Sequence, residues 1–382
     1  MERLDRRVSI VSGKSVRELP VELDLAPSGV GFTMRGWDFS RQEIAAAMQA
    51  HQMLNPAMEL GSNICPWNCG FCFTEHPDSA YKRRLQNEMS LERRLALIDQ
   101  AAELGARTIN WVGAGEPTID PHFWELTERM AARNITPIVY TEGTLKLSKR
   151  DFAKRLYDAG ATVVVKVNSL WNHEYQNAIV RGAGRNPHAD EYTAQRNKVI
   201  DLLLEEGFAH SEPTRLAFDT IITKQNVDEL PALHRYARSR NIFILLVNYL
   251  PSGRSSDGVS DALTRTEQFA VFEDLARIDA AEFNIKHRAI FPYAGGVPCT
   301  IRGLGLFVKI TGKVFDCPGE MMPLGDVRAE PLADIWERAK PITKSFDGGC
   351  APREAFWSSH KPISVIPGNA KFTRIVEKVL AT

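Results

Sequence analysis

The sequence predicts an α/β fold built on a parallel sheet. Three observations point there. Short, nearly continuous Val/Ile/Leu-type runs recur: "TINWVG" (108–113), "TPIVYTEG" (136–143), "TVVVKVNS" (162–169), "RLAFDTIIT" (215–223) and "IFILLVNYLP" (242–251). Such runs suit parallel strands covered on both faces. Segments with helix end signals lie between them, and the two kinds alternate from about residue 58 to 255. That cadence implies βα units with right-handed crossovers.

"AMELGSN" (57–63) reads as the first strand and brings the count to six βα units. Six units either close partly into a barrel or lie open, and in both cases the chemistry sits at the carboxyl ends of the strands. Ser90 caps "LERRLALIDQAAEL", in which Leu91, Leu95 and Ile98 share a face and Gly105 is the stop. Asp120 and Pro121 are expected as N-cap and first residue of "HFWELTERMAAR". Ser148 is expected to open "KRDFAKRLYDA", with Gly160 closing it. Asn226 opens "VDELPALHRYARSR", where Pro231 marks a break or a late start. Beyond about residue 285 the pattern changes. "GLGLFVKITGKVFDC" (303–317) alternates around Thr311-Gly312 as a β-hairpin does, and "PLADIWERAK" follows as a short helix. The expected division is an N-terminal extension (1–55), the βα body (56–285) and a small C-terminal α+β module (286–382).

The 382 residues are 44% apolar and 25% charged, ordinary values for a globular protein. Lys plus Arg equals Asp plus Glu at 47 each, which gives no electrostatic footprint for nucleic acid or anionic membrane. "MERLDRRVSIVSGKS" has no apolar h-region, and no apolar run approaches the roughly 20 residues that span a bilayer. The expectation is a cytoplasmic protein without a nucleic-acid or membrane partner. In that compartment clustered cysteines favour metal binding or catalysis over disulfides.

Three of the six cysteines, Cys65, Cys69 and Cys72, fall within "ICPWNCGFCF" (64–73), directly after the first expected strand. Three thiolates on a 4Fe–4S cube leave one iron open to a small molecule. A structural zinc site completed by His76 is the competing reading. On the next strand, "WVGAGEPTID" sets Gly113, Gly115 and Glu116 at the carboxyl end, where glycines admit a ligand to the backbone and a carboxylate suits an ammonium group.

Together these residues resemble the radical S-adenosylmethionine (radical SAM) superfamily, over roughly residues 57 to 255. The resemblance implies a partial (β/α)6 TIM-like barrel, and a 5′-deoxyadenosyl radical formed by one-electron cleavage of S-adenosylmethionine (SAM). It implies that Cys65, Cys69 and Cys72 hold the cluster and that the backbone of Phe71 meets adenine. Gly113, Gly115 and Glu116 would receive the methionine amine. In "VVVKVNSLWNHEYQNAIVRG", Lys166, Asn168 and Ser169 fall in the region that serves ribose or the methionine carboxylate, and Arg181 fits a carboxylate partner. Lys166 departs from the Ser common in the family. "VNYLPSGR" resembles the sixth-strand end, where Tyr249 and Leu250 would flank adenine.

The tail resembles the SPASM/Twitch auxiliary-cluster modules. Cys299, Gly312 and Cys317 fit their C-x(9–15)-G-x4-C hairpin, and Cys350 in "DGGCAPRE" would add a third ligand. Arg353 stands where some members finish with a cysteine, so a single auxiliary cluster of the Twitch kind is expected. Its fourth iron is then bare, bound to substrate, or held by another group such as His360. Two clusters imply electron traffic, with flavodoxin or ferredoxin as donor. Oxidation of an alcohol carbon needs a base, and Glu142, in "YTEGT" where relatives carry Asn, is the candidate. Epimerisation needs a hydrogen donor instead, for which Cys350 or a tyrosine is available. A small carbohydrate-like substrate in natural-product biosynthesis is the favoured class. A radical SAM peptide maturase and a non-catalytic zinc-binding protein are the alternatives.

Overall fold

The computed structural model describes residues 9–12, 15–18, 29–73, 83–182, 186–249, 253–254, 261–289, 292–295, 299–319, 322–344, 350, 352–354 and 358. A small hairpin, β1 (Ser9–Ser12) and β2 (Ser15–Glu18), and helix α1 (Arg41–Ala50) come first. The body is six parallel strands: β3 (Ala57–Met58), β4 (Thr108–Trp111), β5 (Thr136–Thr141), β6 (Thr162–Lys166), β7 (Leu216–Ile222) and β8 (Phe243–Asn248). Each pairs with the next in chain order, and the sheet stays open, so the barrel is partial. The covering helices are α2 (Leu91–Glu103), α3 (Phe123–Ala132), α4 (Arg150–Asp158), α5 (His173–Arg181), α6 (Tyr192–Glu205), α7 (Leu230–Arg238) and α8 (Arg265–Glu282).

The C-terminal hairpin forms as its alternation predicts. A short helix, α9 (Ile301–Leu304), leads to β9 (Phe307–Val308), and Gly312 turns the chain with φ +88° into β10 (Lys313–Phe315). β11 (Pro323–Asp326) adds to β10, and α10 (Leu332–Lys344) follows. β9 pairs in parallel with β3, so the hairpin continues the barrel sheet.

Two expected helix starts move, each because a side chain has another task. The Asp120 carboxylate accepts from the amides of Ser62 (2.7 Å) and His122 (2.8 Å) and from Arg94 (3.3 Å). It ties the loop after β3 to α2, and α3 begins at Phe123 with His122 as cap. The Ser148 hydroxyl donates to the Leu145 carbonyl (2.6 Å) at the end of a 3-10 turn, and α4 begins at Arg150. Pro231 does mark a late start, lying in the first turn of α7. The strand after residue 57 pairs over two residues only, before the chain peels away into the cysteine loop.

Period-2 alternation sorts the strands into two faces. Ile109, Trp111, Val139, Val163, Val165, Phe218, Ile244 and Leu246 pack outward against the helices. Ile138, Val164, Ala217, Phe243 and Leu245 fill the lumen with Met34. Residues 31–37 close the lower end. Thr108 donates to the Gly36 carbonyl (3.0 Å), Thr162 to that of Arg35 (2.9 Å), and the Trp37 indole to Asn110 (2.9 Å).

This plug is held to the helices by a buried charge cluster. Asp279 on α8 accepts from His234 (2.6 Å), from His287 (3.0 Å) and twice from Arg238 (2.9 and 2.8 Å). Arg238 also donates to the Gly31 carbonyl at 2.5 Å. Burial alone would raise the Asp279 carboxyl, but these donors hold it well below the usual carboxylate range. Removing one partner from such a cluster leaves uncompensated buried charge. Asp279→Ala should therefore lower stability by about 3–5 kcal/mol, read from the urea midpoint; a change under about 1 kcal/mol would mean that the cluster is not structural.

Candidate active site

The cysteine loop leaves β3 and is pinned by its backbone from four directions. The amide of Glu116 donates to the Ile64 carbonyl (2.9 Å), that of Asn68 to Val180 (3.0 Å), that of Gly70 to Ile179 (2.9 Å) and that of Arg254 to Cys72 (3.0 Å). A Cβ at Gly115 would strike the Ile64 carbonyl, and one at Gly182 would strike the Asn68 carbonyl. Both glycines are there for close approach of backbones. Cys65, Cys69 and Cys72 form no disulfide and are half-buried. Cys65 and Cys69 pack against Trp67, Val180 and Tyr192.

Glu116 lies in the loop after β4, where it caps a 3-10 turn, and is buried. One oxygen accepts from the Thr118 amide (3.1 Å) and the Thr118 and Thr141 hydroxyls (2.7 Å each); the other accepts from the Glu142 amide (2.9 Å). The Glu142 carboxylate accepts from the amide (3.0 Å) and hydroxyl (2.7 Å) of Thr144. Tyr192, beside the cysteine loop, donates to the Glu142 backbone carbonyl (2.6 Å). Burial, and then the neighbouring charge of Glu116, push the Glu142 carboxyl up to about 8. Burial raises Glu116 as well. At neutral pH the pair therefore holds a proton on Glu142.

The other expected site residues lie in different surroundings. Phe71 and Tyr249 meet edge to face, with ring centroids 5.8 Å apart, where the cysteine loop crosses the end of β8. Asn168 and Ser169 are buried in a network that ties β6 to its neighbours: both amides donate to Gln176 (2.8 and 3.0 Å), Asn168 accepts from the Ile221 amide (2.9 Å), and Ser169 donates to Glu229 (2.7 Å). Arg181 lies at the exposed end of α5, paired with Asp190. Leu250, His76 and His360 lie outside the described residues.

Lys166 points into the lumen one layer above Val164, and its ammonium pairs with Asp219 of β7 at 2.9 Å. The register sets the two side by side. The layer below is closed, with Ile138, Val164 and Ala217 fully buried. In this upper layer Tyr140, Lys166, Asp219, Val247 and Tyr293 keep partial exposure, so the lumen opens at the carboxyl ends of the strands. Sequence reasoning missed Asp219, Tyr140 and Tyr293. The alternation Ile138, Tyr140, Glu142 along one face of β5 would have found the second of these.

The tail cysteines gather over the same mouth. Cys299 and Cys317 share an apolar cluster with Phe73, the residue after Cys72, and with Val112 at the end of β4. Cys299 lies near Tyr293 and Cys350, close enough for each to bear on its ionisation. Burial pushes the Cys317 thiol up to about 12 and raises that of Cys299. Buried thiols this close resist ionising together unless a cationic centre sits among them. The donor set thus fits iron, with Cys65, Cys69 and Cys72 as one group and Cys299, Cys317 and Cys350 as the other. Among the described residues no three Cys, His, Asp or Glu side chains converge as a single-ion site requires. Zinc needs its sulfurs about 2.3 Å from one point; a cluster that gives each thiolate its own iron has no such point.

Residues 60–237 match the profile of the radical SAM superfamily. The chain is similar to the S-adenosylmethionine-dependent nucleotide dehydratase of Flammeovirga pacifica, 28% identical over 165 residues, which are 43% of this chain and 52% of that protein. It is similar to the mycofactocin maturase MftC of Mycolicibacterium smegmatis, 24% identical over 265 residues, 66% of this chain and 62% of that one. The chain spans about half to three-fifths of the length of these curated relatives (52% and 62%). Streptococcus suis SuiB bound to S-adenosylmethionine shares the fold, with a TM-score of 0.58 at 15% identity, over 82% of this chain and 77% of that one. With its cysteine loop pinned over the mouth of a partial barrel, the segment 60–237 is a radical SAM domain, of the superfamily whose cofactors are a 4Fe–4S cluster and S-adenosylmethionine.

Proposed function

We propose that this chain is a radical SAM oxidoreductase or epimerase. It takes a hydrogen atom from a carbon of a small, carbohydrate-like substrate by way of a 5′-deoxyadenosyl radical. The product is an oxidised or epimerised alcohol carbon. The observation that carries this reading is the meeting of two three-cysteine groups at one half-open lumen, with Phe73 packed against Cys299 and Cys317. Cys65, Cys69 and Cys72 would hold the SAM-binding cluster. Cys299, Cys317 and Cys350 would hold a second one of the Twitch kind. When bound, the first supplies the electron that breaks the sulfonium.

The chain's own residues have separate tasks. Phe71 and Tyr249 form a wall for adenine, and the family resemblance assigns Leu250 to the same task. The backbone at Gly113 and Gly115, shaped by Glu116, faces the methionine amine, and Arg181 serves the methionine carboxylate. Asn168 and Ser169 hold the end of β6 in place for Lys166, which addresses hydroxyl groups beside Asp219. Oxidation of a carbinol removes a hydrogen atom, a proton and an electron. The hydrogen atom goes to the adenosyl carbon, the proton to Glu142 and the electron to the tail-cysteine site. In epimerisation Tyr140 or Tyr293, or Cys350 where it holds no iron, returns a hydrogen atom to the opposite face.

A second reading, a peptide maturase, is favoured by the similarity to MftC over 66% of this chain. Under either reading we propose a cytoplasmic enzyme that draws electrons from flavodoxin or ferredoxin and takes no nucleic-acid partner. Among the described residues no helix is long and apolar enough to cross a membrane.

Cys69→Ala should reduce 5′-deoxyadenosine release, measured anaerobically with dithionite and SAM, to the level without protein; undiminished release would overturn the reading. In deuterated water with a panel of cyclic polyols and a peptide library, a ketone free of solvent deuterium supports oxidation and an inverted carbon carrying deuterium supports epimerisation. Modified peptide alone would transfer the function to the maturase reading.

Glu142 gives a pH test. As a base it must be ionised, so kcat/KM should rise through about pH 8. Glu142→Gln should cost about 10²-fold or more and flatten that limb. The sign for stability is opposite. The folded carboxyl titrates near 8 and the unfolded one near 4.5, so the folded state holds an extra proton between them and loses stability as pH rises through that window. Glu142→Gln should therefore raise the melting temperature more at pH 8.5 than at pH 5, and an equal shift at both would reject a buried, proton-holding Glu142.

A further inference from the structure

Cys350 and Arg353 share one helical turn, in which the amides of Arg353 and Glu354 both donate to the Cys350 carbonyl (3.1 and 3.0 Å). Across that turn the Arg353 guanidinium donates to the Cys350 sulfur at 3.0 Å. The turn is fixed on two sides. Pro352 lies so close to Gly319 that a Cβ there would run into its ring. Glu354 pairs with Arg265 of α8 at 3.3 Å. Gly319 in turn donates its amide to the Cys317 sulfur at 3.3 Å. Two of the three tail sulfurs thus receive an N–H from the chain itself, and one of the donors is a permanent cation.

We propose that Arg353 is a positioning residue that takes the place of a fourth cysteine as a charged hydrogen-bond donor, and so biases the second cluster toward accepting electrons from the substrate. The proposal rests on the reading that Cys299, Cys317 and Cys350 hold a cluster. A cysteine thiolate at residue 353 would add one negative charge, and an arginine adds one positive, a difference of about two charge units at the site. Reduction makes a cluster more negative. A neighbouring cation and N–H donors to its ligand sulfurs favour that state and raise the potential. Because the guanidinium does not deprotonate in the working pH range, the bias is always present. It matches the demand of alcohol oxidation. A carbon radical bearing a hydroxyl becomes a ketone by losing one proton and one electron, and the electron needs an acceptor within reach of the lumen.

The test is a potentiometric titration of the anaerobically reconstituted full chain, followed by electron paramagnetic resonance, on wild type, Arg353→Lys and Arg353→Gln. Iron is counted on the same samples. All three should carry about eight irons per chain, four for each cluster. The second couple alone should move to lower potential, further in Arg353→Gln than in Arg353→Lys. An unmoved second couple in both variants, or an equal movement of both couples, would overturn the proposal. About four irons in the variants alone would also overturn it, because Arg353 would then be needed to hold the cluster rather than to tune it. About four irons in the wild type would remove the two-cluster reading first, and the role of Arg353 with it.

Discussion

The carbonyl of Ile64 accepts the amide of Glu116 at 2.9 Å, and the backbone of Gly115 lies against it with no room for a side chain between. This contact ties the loop that carries Cys65, Cys69 and Cys72 to the carboxyl end of β4. The same loop is gripped at Asn68 and Gly70 by the end of α5 and at Cys72 by Arg254. All of these holds use backbone groups of the loop. A loop fixed in this way has its geometry set before any cofactor arrives, and less ordering entropy is lost on binding. The other features of the mouth follow from where that loop is held. Phe71 reaches Tyr249, Trp67 meets Tyr192, and Phe73 reaches the tail cysteines because the loop crosses the barrel at that height.

The barrel below the loop is filled and the barrel above is not. Residues 31–37 close the lower end, and apolar side chains from β5 to β8 pack the middle. Tyr140, Lys166, Asp219 and Tyr293 lie where the lumen opens, above that apolar layer. Two charges at that level, Lys166 and Asp219, neutralise each other, while Glu142 stays neutral by holding a proton. A site that makes a carbon-centred radical benefits from few mobile charges and little water, since both promote side reactions.

Much of this was legible in the sequence, for identifiable reasons. The strands stood out because a sheet covered on both faces leaves uninterrupted Val/Ile/Leu runs, and Ser90, Gly312 and Pro231 act through local backbone chemistry that does not depend on the rest of the fold. Asp120 and Ser148 read as helix caps because their residue types favour that role. The structure uses Asp120 instead to join residues 58 and 26 positions away in the chain, Ser62 and Arg94. No local pattern carries such long-range demands. The cysteine triad was legible because its spacing is local, three cysteines within eight residues of one loop. Asp219 was not, because a carboxylate in a strand announces nothing until its neighbour across the register is known to be Lys166.

The charges around the mouth also bear on substrate class. An anionic substrate such as a nucleotide needs cations to replace its hydration. Of those near the tail cysteines and the upper lumen, Lys166 is engaged by Asp219, Arg302 by Asp316 at 2.9 Å, and Arg353 by the Cys350 sulfur. Taking Lys166 or Arg302 for a phosphate would strip a buried or half-buried carboxylate of its counter-charge. An uncharged polyol makes no such demand: one hydroxyl can donate to Asp219 while its neighbour accepts from Lys166, and the ion pair stays intact. The Lys166–Asp219 pair thus contributes no net charge to this level of the lumen, and a hydroxyl group can join it without breaking it.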